Sequence, residues 1–208
     1  MRQGPRIVFA MLMLALSAGV ARANTITLNA VNGDLYQQQV SSPCVFSNPS
    51  CQNGAFPTTN LPTGGAVTSY DALSPVYTGA QLLALLGANA LNIGIDINQA
   101  SGQPAQTLTL FTMIKNGSVV DTFTGSTGNV PATNNGNGFA DYLLSGFSAF
   151  TASDTIQFHF VFNDGNDGTE SAFVVGTPTT APVPEPTSMM LLGTGLLGVV
   201  ARLRRKSA

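Results

Sequence analysis

Two stretches of strict alternation constrain this chain more than anything else in it. In ALNIGIDINQ, Leu91, Ile93, Ile95 and Ile97 share one side, while Asn92, Gly94, Asp96 and Asn98 share the other. In TIQFHFVFN, Ile156, Phe158, Phe160 and Phe162 alternate with Gln157, His159 and Asn163 in the same way. A period of two is the spacing of side chains along a strand, so both stretches predict strands with one buried and one polar face.

The segments around them extend the pattern. QTLTLFTMI and SVVDTFTG flank Lys115-Asn116-Gly117, and Asn-Gly favours a tight hairpin because both residues tolerate positive φ. Asn116-Gly117-Ser118 also fits a glycosylation sequon, but the turn reading rests on the flanking alternation. DYLLSGF and ESAFVVG predict further strands, the first reached through the Asn/Gly-rich loop Thr133 to Gly138. One segment breaks this rhythm. Thr78 with Gln81 forms a capping box, Leu82, Leu83, Leu85 and Leu86 follow, and Gly87 is placed to end a helix of about two turns in the αL conformation. Many short strands with turn chemistry between them predict an all-β fold, an antiparallel β-sandwich of jelly-roll type with one short helix across an open end.

The two ends of the chain belong to a different chemistry. MRQGPR carries two cations, IVFAMLMLALSAGV is a 14-residue apolar run, and Ala21-Arg22-Ala23 places small residues where signal peptidase reads. This is the pattern of a secretory signal helix over residues 1–23, with cleavage after Ala23. At the other end, Thr187 to Ala201 carries no charge and is followed by Arg202, Arg204, Arg205 and Lys206. Such a helix spans roughly 22 Å, so snorkelling arginines and local thinning have to complete a single transmembrane crossing. The basic cluster then stays cytoplasmic as a stop-transfer signal, and Gly193, Gly195 and Gly198 permit close approach by another helix.

Before that span, Ala181 to Pro186 holds three prolines, which keep the backbone extended and poor in donors. The sequence Val183-Pro184-Glu185-Pro186, then the apolar span, then the basic end, resembles the PEP-CTERM sorting signal of Gram-negative bacteria. The resemblance implies that an integral-membrane exosortase recognises the tail and that the bulk of the protein passes to the cell surface or extracellular matrix. The run from Tyr70 to Val175 is also similar to ectodomains attached to such tails, which implies a surface or matrix role and no reaction. The organisation expected is therefore a signal peptide over 1–23, an ectodomain over 24–180, and a stalk, sorting motif and anchor over 181–208.

With both ends set aside, the middle is acidic. Between Asn24 and Val183 there are nine acids and one cation, Lys115, a balance of −8 against −2 for the whole chain. Nucleic acid and anionic lipid need clustered cations, so neither is an expected partner of the ectodomain. Cys44 and Cys51, bracketed by Pro43 and Pro49, lack the companions of a zinc site, since the sequence has one histidine, His159. In an oxidising compartment they are expected to form a disulfide.

Chemistry in the middle is sparse. His159 falls on a polar strand face, and no G-x-S-x-G elbow, P-loop or H-E-x-x-H motif is present. A glycosidase needs two carboxylates across a cleft, and Asp154, Asp164, Asp167 and Glu170 read better as turn formers. The ectodomain is expected to be non-catalytic and to need no cofactor. The sharpest local cluster is Asn163 to Glu170, where Asp164, Asn166, Asp167 and Glu170 offer hard oxygen ligands for calcium; a plain polar turn accounts for the same residues. Three roles remain: a matrix protein linked to exopolysaccharide and biofilm, a carbohydrate-binding module with or without the help of calcium, and a hydrolase on the same scaffold, disfavoured by the missing catalytic set. The second has few aromatic platforms, since Trp is absent and the tyrosines are Tyr36, Tyr70, Tyr77 and Tyr142.

Overall fold

A computed structural model describes residues 23–31, 34–48, 51–62, 69–98, 105–123, 128–130, 136–165 and 168–179. They contain β1 (Asn24–Ala30), β2 (Cys44–Ser47), β3 (Thr59–Asn60), β4 (Ser69–Leu73), β5 (Tyr77–Thr78), α1 (Gly79–Leu86), β6 (Ala90–Asp96), β7 (Gln106–Lys115), β8 (Ser118–Phe123), β9 (Gly128–Val130), β10 (Tyr142–Ser145), β11 (Thr155–Asn163) and β12 (Ser171–Thr177). The fold is mostly β. The signal-helix and transmembrane segments lie outside the described residues, within which no helix is long and apolar enough to cross a membrane.

The strands form one path, β3-β2-β12-β6-β10-β1-β8-β7-β11-β4, with β5 added to β11 and β9 to β7. β1 joins its two halves. Asn24 to Ile26 pairs with β8, and Thr27 to Ala30 pairs with β10. The expectation of a purely antiparallel sheet is corrected here, because β1–β8 and β2–β3 run parallel. Alternation reports which face of a strand is covered and carries no information about the direction of its neighbour.

The two halves meet through aromatic rings. Phe46 of β2 lies 5.2 Å from Phe160 of β11 and 6.5 Å from Phe111 of β7. Phe160 also meets Tyr70, Phe111 and Phe162, so four rings surround it. Ile156, Phe158, Phe160 and Phe162 are all buried, and the residues between them on β11 are half-buried. Burying one such side chain contributes about 1.5–3 kcal/mol, so this stripe is a substantial part of the apolar support of the fold.

β6 departs from the simple pattern. From Leu91 to Asp96 every residue is buried, including Asn92, Gly94 and Asp96 on the side expected to be polar. The reason is a second, smaller apolar cluster on that side, built from Cys44, Ala140, Phe173 and Val175 with Tyr36 and Cys51 packed against it. Phe173 and Val175 of β12 point to it, while Ala172 and Val174 point into the main core. Gly94 is required where Phe173 crosses, since a Cβ there would lie 2.8 Å from the Phe173 ring.

Local signals place the turns and the helix. Asn116 and Gly117 take φ values of 52° and 78°, closing the β7–β8 hairpin. Thr78 caps α1, with its hydroxyl accepting from the Gln81 N–H and the Gln81 side chain accepting from the Thr78 N–H. Leu82 and Leu86 enter the core. Gly87 ends the helix at φ 59° and ψ −120°, positive in φ but outside the αL region expected of it.

Candidate functional site

The Cys44–Cys51 disulfide closes a short loop at the start of β2, with the Cα atoms 6.4 Å apart. The Asn53 side chain accepts from the Cys44 N–H at 2.7 Å, so the chain beyond the bridge folds back onto it. At the surface of β11, His159 Nε2 lies 2.5 Å from Asp71 Oδ1 on the neighbouring strand β4.

The acidic turn is divided between two environments. Asp164 is exposed, takes a φ of 67°, and accepts from the Thr107 hydroxyl at 2.7 Å. Glu170 is buried and accepts from the Asn98 N–H. Asn166 and Asp167 lie outside the described residues. Among the described residues no group of three or more His, Cys, Asp or Glu is arranged to hold a metal ion.

Glu170 instead joins acids that sequence reasoning did not connect. Asp96 ends β6, Asp141 directly precedes β10, and Glu170 directly precedes β12. These strands are neighbours, and the register sets Ser171 opposite Asp96 and Tyr142 opposite Ile95, which brings the three carboxyls to one end of the sheet. Each accepts one backbone N–H: Asp96 from Gly138 at 3.0 Å, Asp141 from Ile97 at 2.8 Å, and Glu170 from Asn98. Among the described residues, Asp96 Oδ1 and Glu170 Oε1 are buried with no hydrogen-bond partner.

Burial sets their chemistry. Removal from water pushes the Asp96 carboxyl up to about 7; the Gly138 N–H opposes that, and the charge of Asp141 adds to it. Glu170 is likewise pushed up to about 7 by burial, against hydrogen bonds from Asn98 and Gln106 and with the charges of Asp96 and Asp141. Tyr70 beside them is pushed well above the usual phenol range by burial first and by Glu170 second. This set can store protons and pin loops. The only sequence signal for it is an acid at or just beyond the end of each of three apolar strands.

The C-terminal residues are characterised by comparison rather than by geometry, because they lie outside the described residues. Residues 182–206 match the model of the PEP-CTERM protein-sorting motif. The chain carries a PEP-CTERM sorting motif. The match contains Val183, Pro184, Glu185 and Pro186 and extends through Arg202, Arg204, Arg205 and Lys206. A PEP-CTERM motif implies an exported protein, held in the membrane until an exosortase processes it. No curated protein and no solved structure matches the chain.

Proposed function

We propose that this is a non-catalytic surface or matrix protein, released by exosortase at Pro184-Glu185-Pro186 and associated with exopolysaccharide in a biofilm. Signal peptidase removes residues 1–23, cutting after Ala23, and Arg202 to Lys206 hold the precursor at the inner membrane until processing. The ectodomain acts as a two-layered β-sandwich, a reading supported by Phe46 meeting Phe111 and Phe160 from the opposite half of the sheet. The observation that carries the proposal is the sorting motif over 182–206.

Replacing Glu185 tests it directly. With Glu185→Ala, precursor accumulates in the inner membrane at its unprocessed mass, while the wild-type chain reaches the surface as a shorter form. Unchanged surface delivery with unchanged mass, measured by fractionation and intact mass spectrometry, overturns the reading. A second role, carbohydrate binding by the ectodomain, is favoured by a cleft beside the disulfide loop whose described lining residues are all uncharged.

A further inference from the structure

The cleft beside the Cys44–Cys51 loop has a volume of about 680 Å³, enough for several sugar rings. Cys51, Gln52, Asn53, Phe56, Thr58 and Asn60 are among the residues that line it, and none of its described lining residues is charged. Its walls are tied to the rest of the fold at several points. The disulfide ties Cys51 to the first residue of β2. Asn53 holds the Cys44 N–H through its oxygen, which directs its amide nitrogen to act as the remaining donor. Phe56 stacks on Tyr77 with ring centres 5.0 Å apart and planes 14° from parallel, and the Tyr77 hydroxyl donates to the Pro57 carbonyl.

The chemistry of the walls selects a ligand class. Gln52 and Asn60 are exposed amides, each able to donate and to accept, as sugar hydroxyls require. Thr58 lines the same cleft, but its hydroxyl is buried out of reach of a ligand. Phosphates, uronates and sulfated sugars find no cation among the described residues that line the cleft. The one ectodomain cation, Lys115, donates instead to the Ala149 carbonyl. Phe56 takes the apolar role that no tyrosine takes there, because Tyr70, Tyr77 and Tyr142 are buried in the core.

We propose that this cleft binds a neutral, hydroxyl-rich glycan, with Gln52, Asn53 and Asn60 supplying hydrogen bonds and Phe56 an apolar patch. The assignment rests on the carbohydrate-binding reading and goes beyond it by naming the site and the charge class. It is independent of exosortase sorting.

Calorimetric titration of the full-length chain in detergent micelles tests both levels. The probes are cellotetraose, maltotetraose, mannotetraose and, as the acidic arm, tetragalacturonate. At least one neutral tetrasaccharide is expected to bind, and Phe56→Ala is expected to weaken it by about tenfold. Because Phe56 also packs on Tyr77, Asn60→Asp and Gln52→Glu serve as exposed, near-isosteric variants. Each is expected to weaken neutral-sugar binding by about tenfold while leaving the melting temperature in place. Neutral binding that all three variants leave intact overturns the cleft assignment and keeps the broader reading. Tetragalacturonate binding as tightly as the best neutral sugar overturns the charge class. Binding of none of the four probes overturns both.

Discussion

Asp154, in the turn before β11, and Asp96, at the end of β6, each accept backbone N–H groups, yet they titrate in opposite directions. Asp154 accepts from the Thr151 N–H at 2.7 Å, the Thr151 hydroxyl at 2.9 Å and the Asn116 amide at 2.7 Å. Those bonds, the Thr151 N–H first, hold its carboxyl below the usual range. Asp96 has one such bond and lies in the protein interior, where desolvation outweighs it. A hydrogen bond from the backbone is therefore not enough to decide whether an acid is ionised. The number of donors has to be set against the loss of water.

The largest expected effect follows from the buried set. Asp96 and Glu170 are protonated in the folded protein up to about pH 7, whereas in the unfolded chain they ionise near their ordinary values of 3.8 and 4.5. Between those limits the folded state binds more protons, so stability falls as pH rises and levels off above about pH 7. Each titrating carboxyl contributes a slope of about 1.4 kcal/mol per pH unit, with the steps shared across the coupled cluster. Urea unfolding at pH 5 and pH 8 measures this. Asp96→Asn, which keeps an acceptor for the Gly138 N–H, should remove about half of the loss. A stability that instead rises from pH 5 to pH 8 shows that the buried carboxylates are ionised and compensated, and breaks the comparison.

The turn acid gives a smaller effect of opposite sign. Its depressed carboxyl contributes stability above the unfolded value of 3.8 and loses it as pH falls through the folded value. Asp154→Ala is expected to lower the melting temperature slightly at pH 7, with the difference from wild type shrinking as pH falls through the depressed carboxyl. A penalty that persists unchanged in acid assigns the role of Asp154 to packing rather than to its charge.

What was legible in the sequence follows the range of each interaction. The stripe on β11, the Asn116-Gly117 turn and the Thr78–Gln81 cap are set by residues within a few positions of one another, and all three are present. The buried acids were not legible because residues 96, 141 and 170 come together only through the order β12-β6-β10. The burial of Asn92, Gly94 and Asp96 depends on Phe173 and Ala140 covering a face that alternation alone marks as polar. The cleft is built from a stretch with no period at all, held by a disulfide and by side chains that cap backbone groups. The parallel pairing of β1 with β8 joins segments nearly a hundred positions apart, beyond the reach of any local pattern.

The smallest expected effect is that of calcium, and it bears on the same comparison. For the turn to coordinate the ion through both Asp164 and Glu170, Glu170 has to leave its buried position to join the exposed Asp164. Drawing Glu170 out of the core offsets what the ion offers, so millimolar calcium and magnesium should shift the melting temperature slightly and alike, by screening the −8 charge of residues 24–183. An ion bound to the native state alone at a hundred times its Kd stabilises by about 2.7 kcal/mol, well above such screening. A shift of several degrees with calcium only, abolished by Asp164→Asn or Asp167→Asn, therefore establishes a site in the turn. It also draws Glu170 out of the protonated set, so the loss of stability between pH 5 and pH 8 should shrink when calcium is present. If calcium leaves that pH dependence unchanged, Glu170 stays with Asp96 and Asp141, and the division between solvated and buried acids holds.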